Sequence, residues 1–204
     1  MKLQLRILLI SGFCLFRAFS GISQERDSII RILPEICLSE TEVQVFQKVN
    51  EYRQQHGLPA VALSKSLTYV AQSHVWDLAV NNPSSQRCNM HSWSSKGQWT
   101  ACCYTEDHRH AACMWNKPRE LTNYHGDGYE IAYWTNEPLS PADFAAKSLT
   151  GWKRSPEHNE VILNKGMWKT ADWNAMGVGY YLGYTVIWFG KEPDVEPEIL
   201  PCMN

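Results

Sequence analysis

A chain of 204 residues and 23.4 kDa is long enough to bury a full core and short for two domains. Apolar residues at 44% and charged residues at 20% sit near the globular average, which excludes disordered and collagen-like chains. A formal net charge of −2 offers no basic surface to neutralise phosphates, so nucleic acid is not an expected partner.

Lys2 and Arg6 precede the apolar stretch 7–16, and Ala18, Ser20, Gly21 and Ser23 follow it. That order of basic, apolar and small residues marks residues 1–23 as a secretory signal peptide. The stretch is too short for a membrane span, which needs roughly 20 apolar residues, and no later segment is longer. No transmembrane segment is therefore expected. Phe13 before Cys14 spoils a lipoprotein box, so release is expected, to the extracellular space or, in a bacterium, the periplasm. Loss of the leader removes Lys2, Arg6 and Arg17 and leaves 16 of the 19 basic residues against 21 acidic ones.

Cys14 leaves as well, and six cysteines remain: Cys37, Cys88, Cys102, Cys103, Cys113 and Cys202. An even count in an oxidising compartment reads as three disulfides. A bridge between the vicinal Cys102 and Cys103 would be strained. Cys37 precedes the first helix and Cys202 lies near the end, so a bridge tying the chain ends is expected; the other pairings stay open. A zinc site built from these thiols is the rival reading, weakened by the lack of a C-x-x-C pair.

Ser39-Glu40-Thr41-Glu42 is a capping box, and Val45, Val49 and Tyr52 then follow at helical spacing until Gly57 and Pro59. A second helix is expected over 66–81, with Leu67, Val70, Ala71, His74 and Leu78 in one stripe. On that face His74 reads as a core histidine. Residues 84–127 show neither helical nor strand periodicity and hold four of the six cysteines. They read as a disulfide-stapled loop carrying Trp93, Trp99, Tyr104, Trp115 and Tyr124, with Trp93, Trp99 and Trp115 available for an exposed aromatic patch. A strand is expected over 129–134 and a hairpin over 176–181 and 184–189. Ser140-Pro141 opens a third helix with Ala145, Leu149 and Trp152 on its apolar face, and Ser155-Pro156 opens a short fourth. Residues 192–204 read as an extended tail pinned by Cys202. Helices followed by interleaved strands point to an α+β, layered architecture.

His91 stands at the head of the long loop, and His158 lies in the first turn of a helix, where the dipole disfavours an imidazolium. Glu130 sits in a strand between them. Two imidazoles and one carboxylate with an open position form a known catalytic zinc arrangement, so His91, Glu130 and His158 are candidate ligands of a divalent metal, zinc being the first choice. His108 and His110, with Glu106, Asp107 and His125 nearby, form a second candidate cluster if that segment is extended. No nucleophile-elbow, zincin, P-loop or dinucleotide motif occurs.

Several segments together resemble the CAP superfamily of cysteine-rich secretory, antigen 5 and pathogenesis-related 1 proteins, built on the SCP domain. Asn50-Glu51-Tyr52-Arg53 leading to Gly57-Leu58-Pro59 looks like the family's first helix and its exit. Leu67 through Ala71-Gln72-Ser73-His74 and Asp77 looks like the second. His91-Ser92 is similar to the His-Ser element, and Gly128-Tyr129-Glu130-Ile131-Ala132 to the Gly-Glu-Asn-Ile-Ala strand. Residues 151–163, with Trp152, Ser155-Pro156, His158 and Ile162-Leu163, look like the bacterial-type helix, and Gly177-Val178-Gly179 like the closing hairpin.

The resemblance implies a CAP domain over 38–191 of bacterial type, with the cysteine-rich loop as an insertion. Its fold would be a three-layer α-β-α sandwich with a central antiparallel sheet. It also implies a cleft, here with His91, Tyr129, Glu130, Ser155 and His158 as candidate lining residues, holding a divalent metal in some members. The two imidazoles are then expected within about 7 Å of each other. The motif is altered at one point. Aligned on Ile131-Ala132, the family's strand Glu falls at Tyr129, and Glu130 takes the Asn place. Neighbouring strand residues face opposite ways, so Glu130 is expected to turn away from the cleft. The preferred function is a monomeric, secreted binding module whose cleft or aromatic loop recognises a lipid, glycan or protein surface. A metal-dependent hydrolase using His91, Glu130 and His158 is the alternative, and an inert extracellular scaffold a third.

Overall fold

Ser39 opens the first helix, α1 (Glu40–Gln55), by the reciprocal capping its sequence encodes. Its hydroxyl accepts the Glu42 N–H at 3.3 Å, and the Glu42 carboxylate accepts the Ser39 N–H at 2.7 Å. The computed structural model describes residues 31–85 and 87–203, so the expected signal peptide and Cys14 lie outside the described residues. In α2 (Lys65–Asn81), Ser64 caps the start and Asn82 ends the helix in the left-handed region at φ 46°.

The inserted loop is more ordered than its composition suggests. It contains two short helices, α3 (Ala111–Trp115) and α4 (Lys117–Leu121), neither of which shows in the hydrophobic pattern. Five-residue helices are too short to display a period, and their cross-links carry them instead. Cys88 pairs with Cys103 and Cys102 with Cys113, while Cys37–Cys202 ties the chain ends as expected. The remaining elements are β1 (Gly128–Trp134), α5 (Pro141–Arg154), α6 (Pro156–Ile162), a 3-10 turn at Gly166–Trp168, β2 (Ala175–Tyr181) and β3 (Tyr184–Gly190). Ser155 precedes α6, but its hydroxyl makes no capping bond, unlike Ser140 at α5.

The three strands form an antiparallel sheet in the order β1-β3-β2. Alternation along them sorts two cores. Ile131, Met176, Val178, Ile187 and Phe189 face α1, α5 and α6. Ala132, Ala175, Val186 and Trp188 face α2 and the inserted loop. The result is the α-β-α sandwich that the family resemblance implied.

Gly177 and Gly179 set how closely α2 lies on the sheet. A Cβ at Gly177 would stand 2.0 Å from the Leu67 carbonyl carbon, and one at Gly179 2.4 Å from that of Ala71. Helix backbone therefore rests directly on β2, and this contact places the next turn of α2, with His74, over the sheet. At the helix start, Asp194 of the tail accepts from the Ser64 hydroxyl at 2.6 Å and from the Ser66 N–H and hydroxyl at 2.8 Å. The tail is thus a strap held by a carboxylate as well as by Cys202. Replacing Gly177 with alanine is expected to cost about 3 kcal/mol, because the backbone it meets cannot rotate away. Urea unfolding of the variant would show this as a lowered midpoint, and an unchanged midpoint would contradict the close approach.

Candidate functional site

β1 is an edge strand, and its Glu130 contacts His91, whose ring in turn faces His158. Tyr129 and Glu130 face opposite sides, as adjacent strand residues must. Glu130 points to the α2 side, where its Oε1 accepts the His91 Nδ1–H at 2.7 Å and its Oε2 bonds Nδ1 of His74. Its side chain is fully buried, as is that of His74. His74 lies flat on Trp93, with ring centroids 4.3 Å apart, and its Nε2 meets the Ser92 carbonyl at 3.0 Å. A carbonyl only accepts, so that nitrogen carries a proton, leaving Nδ1 to share one with Glu130.

Burial pushes the Glu130 carboxyl up, but the two imidazoles outweigh it and hold the group below the usual carboxylate range. Glu130 is therefore an acceptor. With Nδ1 donating to it, the His91 ring turns Nε2 away from Glu130. His158 comes from the opposite face of the sheet on α6, whose Val161 and Ile162 pack with α1 and α5. The two rings meet with centroids 6.2 Å apart, within the separation expected. Tyr104 closes one side, its ring 5.3 Å from His91 and its hydroxyl 2.8 Å from His108 Nδ1. The His158 imidazole is pushed down to about 4, first by burial and then by His91, rather than chiefly by the helix end.

The expected metal set does not assemble. Glu130 gives both oxygens to imidazole N–H groups behind His91, so the carboxylate of a two-His-plus-Glu centre is committed elsewhere. Among the described residues, no group of three or more His, Cys, Asp or Glu side chains is placed to hold a metal ion. A three-ligand zinc centre of His91, Glu130 and His158 is therefore not formed. The second cluster fails as well, because 105–110 turns rather than extends and His108 adopts φ 55°. Ser155 sits at the junction of α5 and α6, three positions before His158.

Tyr129 lies on the α6 side among Trp115, Trp168 and Trp173, at centroid distances of 5.4, 4.8 and 5.5 Å. Trp93, expected as part of an exposed patch, is instead 2% exposed, and Trp99 packs edge-on against it at 5.1 Å. Sequence reasoning did not place Tyr104 beside His91. The signal lay in the cysteines: the Cys88–Cys103 bridge sets Asn89 opposite Tyr104, whose carbonyl accepts the Asn89 N–H at 2.9 Å.

The sequence matches the CAP, or cysteine-rich secretory protein, family over residues 46–184. The chain belongs to that family. Among solved structures it is similar to an extracellular protein containing a SCP domain from Bacillus anthracis str. Ames, with a TM-score of 0.50 and 20% identity. That match covers 74% of this chain and 40% of the Bacillus protein, so the chain spans two fifths of its length. It is also similar to an outer surface protein from Borrelia burgdorferi, with a TM-score of 0.51 and 16% identity, over 79% of this chain and 99% of that one. At these identities the likeness is one of fold. No curated protein matches the sequence.

The lowered His158 has a consequence for stability. Its folded value lies below the value of 6.5 for a free imidazole, so the unfolded chain binds the extra proton first. The neutral ring's contribution is complete above about pH 6.5 and is lost as pH falls towards 4. Urea midpoints measured between pH 7 and pH 4 should fall less steeply in His158→Gln than in the native chain. Imidazole NMR should place the His158 midpoint near 4 and move it upward in His91→Ala; a midpoint at the free value would contradict the burial.

Proposed function

We propose that the chain is a secreted binding module of the CAP family, released by its signal peptide and acting outside the cell. The cleft at His91 and His158 is its ligand site. The observation that carries this reading is the fixed pair of imidazoles: Glu130 orients His91 at 2.7 Å, and His158 faces it with centroids 6.2 Å apart. Holding a polar ring in one orientation at a surface edge has a cost in side-chain entropy that core packing does not require. Three disulfides suit an oxidising compartment. Similar folds occur in proteins described as extracellular or as an outer surface protein.

Binding is favoured over hydrolysis because the carboxylate a metal hydrolase would place on its ion is buried behind His91. With Tyr104 beside His91, the pair can accept from and donate to hydroxyl groups, so a polar, hydroxyl-bearing ligand suits the cleft best. Calorimetric titration with chitohexaose and with phosphatidylcholine vesicles tests this against His91→Ala and His158→Ala. Each variant is expected to weaken the oligosaccharide by about tenfold, the loss of one buried polar contact. Equal affinity in all three proteins would move the ligand away from the imidazoles.

A further inference from the structure

The two imidazoles of the cleft are held in different ways. His91 bonds the buried carboxylate of Glu130, whereas His158 rides on α6, a helix of seven residues. Helices that short do not persist alone and take their place from tertiary contacts. The usual local support is missing as well, because the Ser155 hydroxyl makes no capping bond. Trp173 Nε1 donates to the Val161 carbonyl at 2.9 Å. Two further anchors come from consecutive residues of α1. The Tyr52 hydroxyl donates to Asn159 Oδ1 at 3.0 Å, next to His158 in the chain. Arg53 Nη1 donates to the Ile162 carbonyl at 2.5 Å and to Asn164 Oδ1, just past the helix end, at 2.7 Å.

Arg53 is 2% exposed, and the oxygens it meets, including the Pro59 carbonyl at 3.1 Å from Nε, are all neutral. Burial lowers its guanidinium to about 10, which leaves it charged at neutral pH. A buried cation carries a desolvation penalty that only close acceptors offset. Here the acceptors include the C-terminal end of α6, where carbonyls lack helical partners and the helix dipole is negative. The guanidinium fork reaches two segments at once, Pro59 beyond α1 and Ile162 in α6, which the single nitrogen of a lysine cannot copy. Ile162 lies one turn beyond His158 on the same stripe and is fully buried, so a bond to its carbonyl fixes how that stripe faces. Tyr52 fixes the neighbouring Asn159. The helix is thus gripped from α1 near its start and at its end.

We propose that Tyr52 and Arg53 are positioning residues for His158: by fixing α6 from α1 they set the distance of its ring from that of His91. That this distance serves binding rests on the cleft being the ligand site, and separate readouts test the two claims. Tyr52→Phe keeps the ring and its packing and loses only the hydroxyl, and Arg53→Lys keeps the charge. NMR of the full chain with its disulfides formed follows two cross-peaks between ring protons. One joins His91 to His158; the other joins His74 to Trp93, stacked at 4.3 Å in the α2-side core. In either variant the first is expected to fall by about half, since an ångström of drift suffices for a signal so steep in distance, while the second stays as it was. An unchanged His91–His158 signal overturns the proposal, and so does equal weakening of both signals, which marks a general loosening. Asn159→Ala should match the loss in Tyr52→Phe, and the double variant should lose no more; additive losses would take the effect of Tyr52 away from this bond. Calorimetric titration with chitohexaose should show Tyr52→Phe weakened by about fivefold, the weight of one ordinary hydrogen bond. A weakened cross-peak with native affinity upholds the positioning and removes the cleft reading.

Discussion

The carboxylate of Glu130, fully buried between two imidazoles, is the constraint on which both layers of the molecule depend. A lone carboxylate at such a site would carry a desolvation penalty of several kcal/mol, and charge-assisted bonds offset it only where the geometry is close. His74 supplies one bond from α2 and His91 the other from the inserted loop. Neither partner is free to move. His74 is held because Gly177 and Gly179 let α2 settle onto β2, and because Trp93 covers its ring. The same hydrogen-bonded chain that joins helix, strand and loop in the core thus ends in the imidazole at the surface.

The inserted loop is the part of this arrangement least dependent on hydrophobic pattern. Two disulfides 15 and 11 residues apart in sequence reduce the freedom of its unfolded chain. Inside them Trp93 enters the α2-side core. Lys117, 1% exposed, reaches the Thr100 carbonyl and Glu120 at 2.5 Å and stands 5.4 Å over the Trp93 ring. Burial lowers the pKa of this ammonium, so Glu120 is needed beside it to keep the charge in place. The loop therefore has its own ion pair with a buried ammonium, and it carries both His91 and Trp115.

How far the amino-acid order alone reached depended on the range of the forces involved. The capping box at Ser39, the stripe of α2, the hairpin around Leu182-Gly183 and the bridge from Cys37 to Cys202 all follow from local spacing or from position along the chain. The meeting of His91 with His158 also followed, through likeness to a family whose elements occur in the same order. What escaped was set by tertiary contact. His74 reads as an ordinary core histidine until Glu130 is seen against it. Trp93 reads as a surface aromatic until the disulfides turn it inward. The helices of the insertion are shorter than two turns and leave no periodic trace.

The altered strand motif joins these points. Side chains alternate along a strand, so a carboxylate moved by one position changes faces, and with it changes its neighbours. At position 129 it would lie on the α6 side, near His158. At 130 it is enclosed on the α2 side, where it can orient His91 but cannot reach a ligand. The vacated face is filled by Tyr129, which packs with tryptophans from the insertion and from the turn after α6. The position of the carboxylate along the strand thus decides its part: at 130 it is an internal support, and the opposite face is aromatic. The insertion and the altered motif complement each other: the loop brings the histidine that Glu130 needs and the tryptophan that Tyr129 needs.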